Sequence, residues 1–119
     1  MTGPDSSDAS DSSDVNDSVD AVLGALADPT RRALLDALVA RGEASASALA
    51  GDLPVSRQAI VKHLGLLTEA GLVSSDRVGR EVRYRPRSDT LDATAHWMSA
   101  LASEWESRLS AIKRAAERD

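Results

Sequence analysis

The residues of this chain best suited to chemistry are basic, and they are concentrated between positions 55 and 87. Seven Lys and Arg side chains there outnumber three acidic ones, a local charge of +4, although the whole 119-residue chain carries −5. They are Arg57, Lys62, Arg77, Arg80, Arg83, Arg85 and Arg87. Guanidinium and ammonium groups bind phosphate oxygens through charge-assisted hydrogen bonds, and local charge decides where phosphate is attracted. The segment therefore predicts binding to double-stranded DNA.

Catalysis finds little support in the same sequence. The chain has no Cys, only two His and no glycine-rich loop that could cradle a phosphate. No group of carboxylates stands out from ordinary surface charge. We therefore predict that the protein is not an enzyme, that it holds no metal and that it uses no cofactor.

Residues 56–70 form the predicted recognition helix, the element that would enter the major groove. Ser56 is a typical N-cap, and Ile60, Leu64 and Leu67 repeat at helical spacing and predict a buried stripe. The residues expected to face DNA are Ser56, Arg57, Gln58, Val61, Lys62 and His63. Arg and Gln can address guanine and adenine through paired hydrogen bonds. His63 has two possible roles, holding a phosphate or joining the helix to its neighbour.

Residues 72–87 alternate in a way that predicts a two-stranded hairpin, the wing. Val82 and Tyr84 would face one side while Arg83 and Arg85 face the other, and Gly79 supplies the positive φ of a tight turn. The wing residues expected on the DNA backbone or minor groove are Arg77, Arg80, Arg83, Arg85 and Arg87. The alternative is that these charges guard a solvated strand edge.

The rest of the ordered chain predicts helices that support the recognition helix and the wing. Asp28 followed by Pro29 is typical of a helix start, and Gly42 of a helix end. A short helix is expected over 47–52. The predicted fold is mainly α with a small β-hairpin wing: about five helices plus two antiparallel strands in a winged helix-turn-helix.

The last helix carries the second strong signal, an apolar seam. Its members Leu91, Ala95, Met98, Ala102, Trp105, Leu109, Ile112 and Ala116 are spaced alternately by four and three residues. Such a heptad pattern favours a partner helix over a surface that the small domain covers by itself, although packing within the chain is the alternative. We predict a homodimer formed through the terminal helices, with Val22, Leu23, Leu91, Met98, Ala102, Trp105, Leu109 and Ile112 at the interface.

Two domain regions are predicted, an acidic tail over 1–18 and the folded unit over 19–117. The tail repeats Asp and Ser with almost no apolar residue, a composition that predicts disorder. No apolar run reaches the length of a bilayer span, and the acidic N-terminus lacks a signal-peptide core. We therefore expect a cytoplasmic protein without a membrane partner.

Three motifs in this order resemble the ArsR/SmtB family of winged-helix repressors. ALADPTRRALLDAL (25–38) is similar to the family's second helix, SRQAIVKHLGLLTEAGLV (56–73) to its recognition helix, and GREVRYR (79–85) to its wing. The resemblance implies a dimeric transcriptional repressor that binds a pseudo-palindromic operator. The alternative of a different class is a winged-helix protein-interaction module that does not bind DNA.

The metal sites of that family are absent from this sequence. Ser45 and Ser47 stand where metal-sensing members carry two cysteines, and a serine hydroxyl is a poor ligand for soft metals. A second family site on the last helix would need a further histidine beyond Asp92 and His96. The chain resembles the metal-independent branch, and its effector is unknown.

Overall fold

The computed structural model of the chain describes residues 16–118 as five helices and one three-stranded antiparallel sheet. In chain order the elements are α1 (16–26), α2 (Pro29–Arg41), β1 (Ala44–Ser45), α3 (Ala46–Ala50), α4 (Arg57–Glu69), β2 (Val73–Val78), β3 (Glu81–Pro86) and α5 (Asp89–Glu117). Helices α3 and α4 with the β2–β3 hairpin form a winged helix-turn-helix, as predicted. None of the helices in this described part is long and apolar enough to cross a membrane.

Local signals in the sequence set the ends of α2. The Asp28 carboxylate accepts the backbone N–H of Thr30 at 2.7 Å and of Arg31 at 3.3 Å, and Pro29 takes the first helical position. Both hydrogen bonds lower the pKa of Asp28, and the one from Thr30 contributes more. Gly42 ends the helix with φ = 82°, a left-handed conformation that favours glycine. The predicted start and end of α2 are both confirmed.

The core is aliphatic and lies between the first four helices and the root of the sheet. Its fully buried side chains are Val22, Leu34, Leu38, Leu49, Ile60, Leu64, Leu67, Leu72 and Val73. Tyr84, the one tyrosine of the chain, is half-buried and packs against this cluster from β3. The core therefore holds α4 rigidly by its inner face, which fixes the direction of its outer face.

The sheet has one strand more than the sequence predicted. Strand β1 pairs antiparallel with β3, with Ala44 opposite Tyr84 and Ser45 opposite Arg83, so the strand order is β1-β3-β2. The two predicted strands of the wing are confirmed as β2 and β3, and β1, whose two residues are too few to show an alternating pattern, adds a third. The extra strand joins the base of the wing to the loop after α2.

The β2–β3 hairpin follows the predicted alternation. Val78 pairs with Glu81 at its tip, and Gly79 in the turn has φ = 66°. Because neighbours along a strand face opposite sides, Tyr84 faces the core while Arg83 and Arg85 lie on the outer face.

Three expectations need correction. Residues 16–18, predicted as part of the tail, are helical and begin α1, while residues 1–15 lie outside the described part of the chain. Helix α3 covers Ala46–Ala50 and not 47–52. Val22 was expected at a dimer interface, but it is fully buried in the core of its own chain and offers no surface to a partner.

Candidate nucleic-acid interface

The recognition helix α4 presents the side chains that the sequence predicted on its outer face. The Ser56 hydroxyl caps the helix by accepting the N–H of Ala59 at 3.1 Å. Ile60, Leu64 and Leu67 are fully buried, so the remaining face is turned outward. The exposed residues of that face are Arg57, Gln58, Val61 and Lys62. One hydrophobic stripe thus anchors the helix and leaves a polar stripe open to a groove.

Arg57 is held by the other helix of the helix-turn-helix unit. Its Nε donates a hydrogen bond of 3.0 Å to the Oγ of Ser47 on α3. A guanidinium that is tied at one nitrogen loses less side-chain freedom when its remaining N–H groups bind a base. The sequence predicted Arg57 as a DNA contact but not this support from Ser47.

Both serines that replace the family's cysteines have structural roles. Ser45 caps α3, its Oγ accepting the N–H of Ala48 at 3.2 Å, and Ser47 accepts the bond from Arg57. Among residues 16–118 there is no group of three or more His, Cys, Asp or Glu side chains placed to hold a metal ion. In this chain, Ser45 and Ser47 therefore stabilise the helix-turn-helix pair of α3 and α4.

His63 is half-buried, unlike its exposed neighbours Val61 and Lys62. Its Nδ1 is buried and has no hydrogen-bond partner among the described residues. The ring therefore lies at the edge of the exposed face of α4 and is set partly into the protein.

The wing arginines fall into two groups. Arg83 and Arg85 form salt bridges with Glu43, and Arg87 forms one of 2.7 Å with Asp89. Arg77 and Arg80 lie near the exposed tip and make no salt bridge with any residue of the described chain. The basic segment is therefore more neutral at its base than its local count of charges suggests.

Glu43 pairs with two of the wing arginines and was not predicted from the sequence. It lies just before β1, and its two oxygens accept from Arg83 at 3.0 Å and from Arg85 at 2.9 Å. Both hydrogen bonds lower the pKa of Glu43, and the one from Arg83 contributes more. No periodic pattern could indicate these contacts, because 40 and 42 positions separate the partners in sequence.

The predicted dimer residues of α5 form a long exposed apolar stripe. Met98 is 52% exposed, Trp105 62%, Leu109 64% and Ile112 65%. Leu91 and Leu23 are also exposed, at 39% and 40%, and Ala102 lies on the open surface of α5. Large apolar side chains in one contiguous stripe mark an interaction surface more often than a solvated face.

A capped helix with an open polar face, next to a basic hairpin, defines the winged helix-turn-helix class of nucleic-acid-binding domains. Residues 26–76 match a family described as a helix-turn-helix domain. The chain is 34% identical over 77 residues to the transcriptional repressor SdpR of Bacillus subtilis. This alignment covers 65% of this chain and 84% of that protein. These matches place the chain among the helix-turn-helix transcriptional regulators.

Solved structures support this assignment. An ArsR-like transcriptional regulator from Rhodococcus sp. RHA1 is similar with a TM-score of 0.76 and 47% identity, over 83% of this chain and 92% of that one. The winged helix-turn-helix domain Mb0332 from Mycobacterium bovis, described as homodimeric and DNA-binding, is similar with a TM-score of 0.61 and 30% identity. That alignment covers 77% of this chain and 84% of that one. The chain therefore belongs to the ArsR family of winged helix-turn-helix transcriptional regulators.

Proposed function

We propose that this chain is a homodimeric repressor that binds a pseudo-palindromic operator in double-stranded DNA. The observation that carries the proposal is the outer face of α4, where Arg57, Gln58 and Lys62 are exposed on a helix whose other face is fully buried. A rigid helix with polar side chains near its N-terminus fits the major groove and can read base edges there.

The side chains of this face have different tasks in the proposal. Gln58 reads adenine and Arg57 reads guanine, each through two hydrogen bonds, and Lys62 contacts the phosphate beside them. Arg57 starts from a partly fixed position, since Ser47 holds its Nε. Sequence preference therefore depends mainly on the first turns of α4.

The wing contributes affinity more than sequence preference. Arg77 and Arg80 are exposed near the tip, where they reach the backbone or minor groove beyond the end of α4. Contacts to phosphate position a protein on the duplex without reading the bases. This division of labour separates the expected effects of substitutions in α4 and in the wing.

Self-association through α5 would bring two recognition helices together in one DNA-binding dimer. The apolar stripe of α5 has no cover in the single chain, and the similar Mycobacterium bovis domain is described as homodimeric. A two-fold dimer sets two recognition helices about one DNA turn apart, roughly 34–36 Å, and so calls for two half-sites in inverted orientation. The named repressor SdpR supports repression as the direction of control. A regulator that binds an operator works beside the chromosome, and we place it in the cytoplasm.

Selection of bound duplexes from a random pool tests the proposal directly. Performed at about 50 and about 200 mM salt, it should yield an inverted repeat at both concentrations and weaker binding at the higher one. Enrichment without symmetry would contradict the dimeric reader. A protein that shows no salt-dependent duplex affinity would instead be a winged-helix interaction module.

Two alanine variants test the division between helix and wing on the selected sequence. Gln58→Ala should relax the preference at one base position by about 1–3 kcal/mol and leave the other positions unchanged. Arg80→Ala should weaken all sequences alike and reduce the dependence on salt by about one phosphate contact. The same profile for both variants would contradict the assigned roles.

A further inference from the structure

The outer face of the wing carries a carboxylate that occupies two of its arginines. Arg83 and Arg85 are alternate residues of β3 and lie on one face. In the pairing of β1 with β3, Ser45 lies opposite Arg83. Glu43, two residues before Ser45, therefore lies beside both guanidinium groups. One of its oxygens bonds Arg83 at 3.0 Å and the other bonds Arg85 at 2.9 Å.

This arrangement copies the way a phosphate group is bound. A carboxylate and a phosphodiester both offer two anionic oxygens, and guanidinium groups bind either with the same hydrogen-bond geometry. Glu43 uses both of its oxygens, and Arg83 lies in addition 3.5 Å from Glu81. Arg83 and Arg85 thus already hold an anion before any DNA arrives.

The ion pairs are nevertheless open to exchange. The side chains of Glu43, Arg83 and Arg85 are 38%, 42% and 57% exposed. Ion pairs with that much contact with water are weak and screened, so a phosphate of the DNA backbone can displace the carboxylate. The exchange gains less than binding an unpaired arginine would, because one anion only replaces another.

We propose that Glu43 competes with the DNA backbone for Arg83 and Arg85 and so limits the sequence-independent affinity of the wing. The role rests on the proposed function, since it requires that the wing contacts DNA. It makes Glu43 a specificity-determining residue: with phosphate attraction weakened, a larger share of the affinity comes from bases read by α4. Arg77 and Arg80, without such a carboxylate, keep their full attraction for phosphate.

Glu43→Gln tests the proposal, because it removes the charge and keeps the size of the side chain. The probe is a labelled random-sequence duplex of roughly 20 base pairs, long enough for two half-sites, titrated by fluorescence anisotropy at several salt concentrations. We expect about three- to tenfold tighter binding at low salt and a plot of log K against log salt steeper by about one phosphate contact. Glu104→Gln is the matched control, since Glu104 also pairs with an arginine, Arg108 at 2.7 Å, but on α5. It should bind as the native protein does.

A second pair of variants tests whether tighter binding comes from the release of Arg83 and Arg85 or merely from the loss of one negative charge. In a chain that carries Arg83→Ala and Arg85→Ala, the further change Glu43→Gln should leave the affinity and its salt dependence unaltered. An equal gain in that background would overturn the proposal, because the effect would then not pass through the two arginines.

The remaining outcomes are also decisive. If the native protein binds the duplex and Glu43→Gln binds it equally or less tightly, Glu43 is not a competitor, and the proposed function stands. If the native protein shows no salt-dependent binding, the proposed function fails and this role fails with it. Circular dichroism of each sample monitors the fold. Should Glu43→Gln lose its cooperative unfolding, Glu43→Asp, which is too short to reach both arginines, must show tighter binding for the proposal to stand.

Discussion

The winged body, residues 16–86, and the helix α5 place their apolar side chains in opposite ways. In the body, Leu38, Leu49 and Leu64 are fully buried within one chain. In α5, a 29-residue helix about 44 Å long, Thr94 is the single buried residue, and Leu109 and Ile112 are mostly exposed. The body thus completes its core within one chain, whereas α5 carries an apolar surface that the single chain leaves uncovered.

The junction between these two regions is short and specific. The N–H of Arg87 donates to the carbonyl of Leu72 at 2.8 Å, two residues before α5 begins at Asp89. Gly71 approaches Thr90 so closely that a Cβ there would lie 2.9 Å from its Oγ1. The start of α5 is therefore fixed to the body just after the end of α4, so the direction of α5 is set relative to α4.

The largest loss of stability is expected from a cavity in the body. Leu64→Ala removes a fully buried side chain of α4 and should lower the free energy of unfolding by about 2–5 kcal/mol. Urea unfolding followed by circular dichroism measures this loss. A cost below about 1 kcal/mol would mean that the core of the body is not closed.

A smaller loss is expected at the junction. Gly71→Ala forces an alanine into φ = 81° and against the Thr90 hydroxyl, and should cost about 1–3 kcal/mol. The control is Gly65→Ala, in α4, where an added Cβ meets nothing within 4 Å and helix propensity should stabilise the chain by up to about 1 kcal/mol. If the two variants unfolded alike, the close contact between body and α5 would be refuted.

Acid should weaken the body through its paired carboxylates. Hydrogen bonds from Thr30, Arg83 and Arg41 hold the pKa values of Asp28, Glu43 and Asp52, respectively, below their ordinary range. As the pH falls, the unfolded chain takes up protons first, near its ordinary values of about 3.9 for Asp and about 4.3 for Glu. This contribution to stability is therefore complete above about pH 5 and is lost as the pH falls through the lower folded values.

Urea midpoints measured between about pH 7 and about pH 3 test this direction. Asp52→Asn, which removes the partner of Arg41, should lower the midpoint at neutral pH and reduce its fall in acid. A midpoint that rises on acidification would show that these bonds do not stabilise the ionised carboxylates.

The body was largely predictable from sequence because its signals are local. Asp28 and Ser56 cap helices within three residues of themselves, and the alternation of β3 needs only its own six residues. Glu43 and β1 escaped prediction because their partners lie about 40 positions away, beyond any periodic signal.

The exposed apolar stripe was harder to predict for a different reason. An apolar stripe has the same spacing whether its own domain or a partner covers it, so Val22 and Leu109 look equivalent in sequence. The structure separates them: Val22 is fully buried in the single chain, and Leu109 is 64% exposed. Only the packing of the folded chain could decide which stripe remains open.

Leu109→Ala is the counterpart of Leu64→Ala, the same chemical change made in the other region. In a dilute, monomeric sample it should change the free energy of unfolding by less than about 0.5 kcal/mol, because the side chain is already in water. In concentrated samples it should cost more, since a dimer adds stability that depends on protein concentration. Thermal unfolding over about a hundredfold range of concentration measures both effects. A loss as large as that of Leu64→Ala at every concentration would show that α5 packs on its own body, and the contrast between the two regions would disappear.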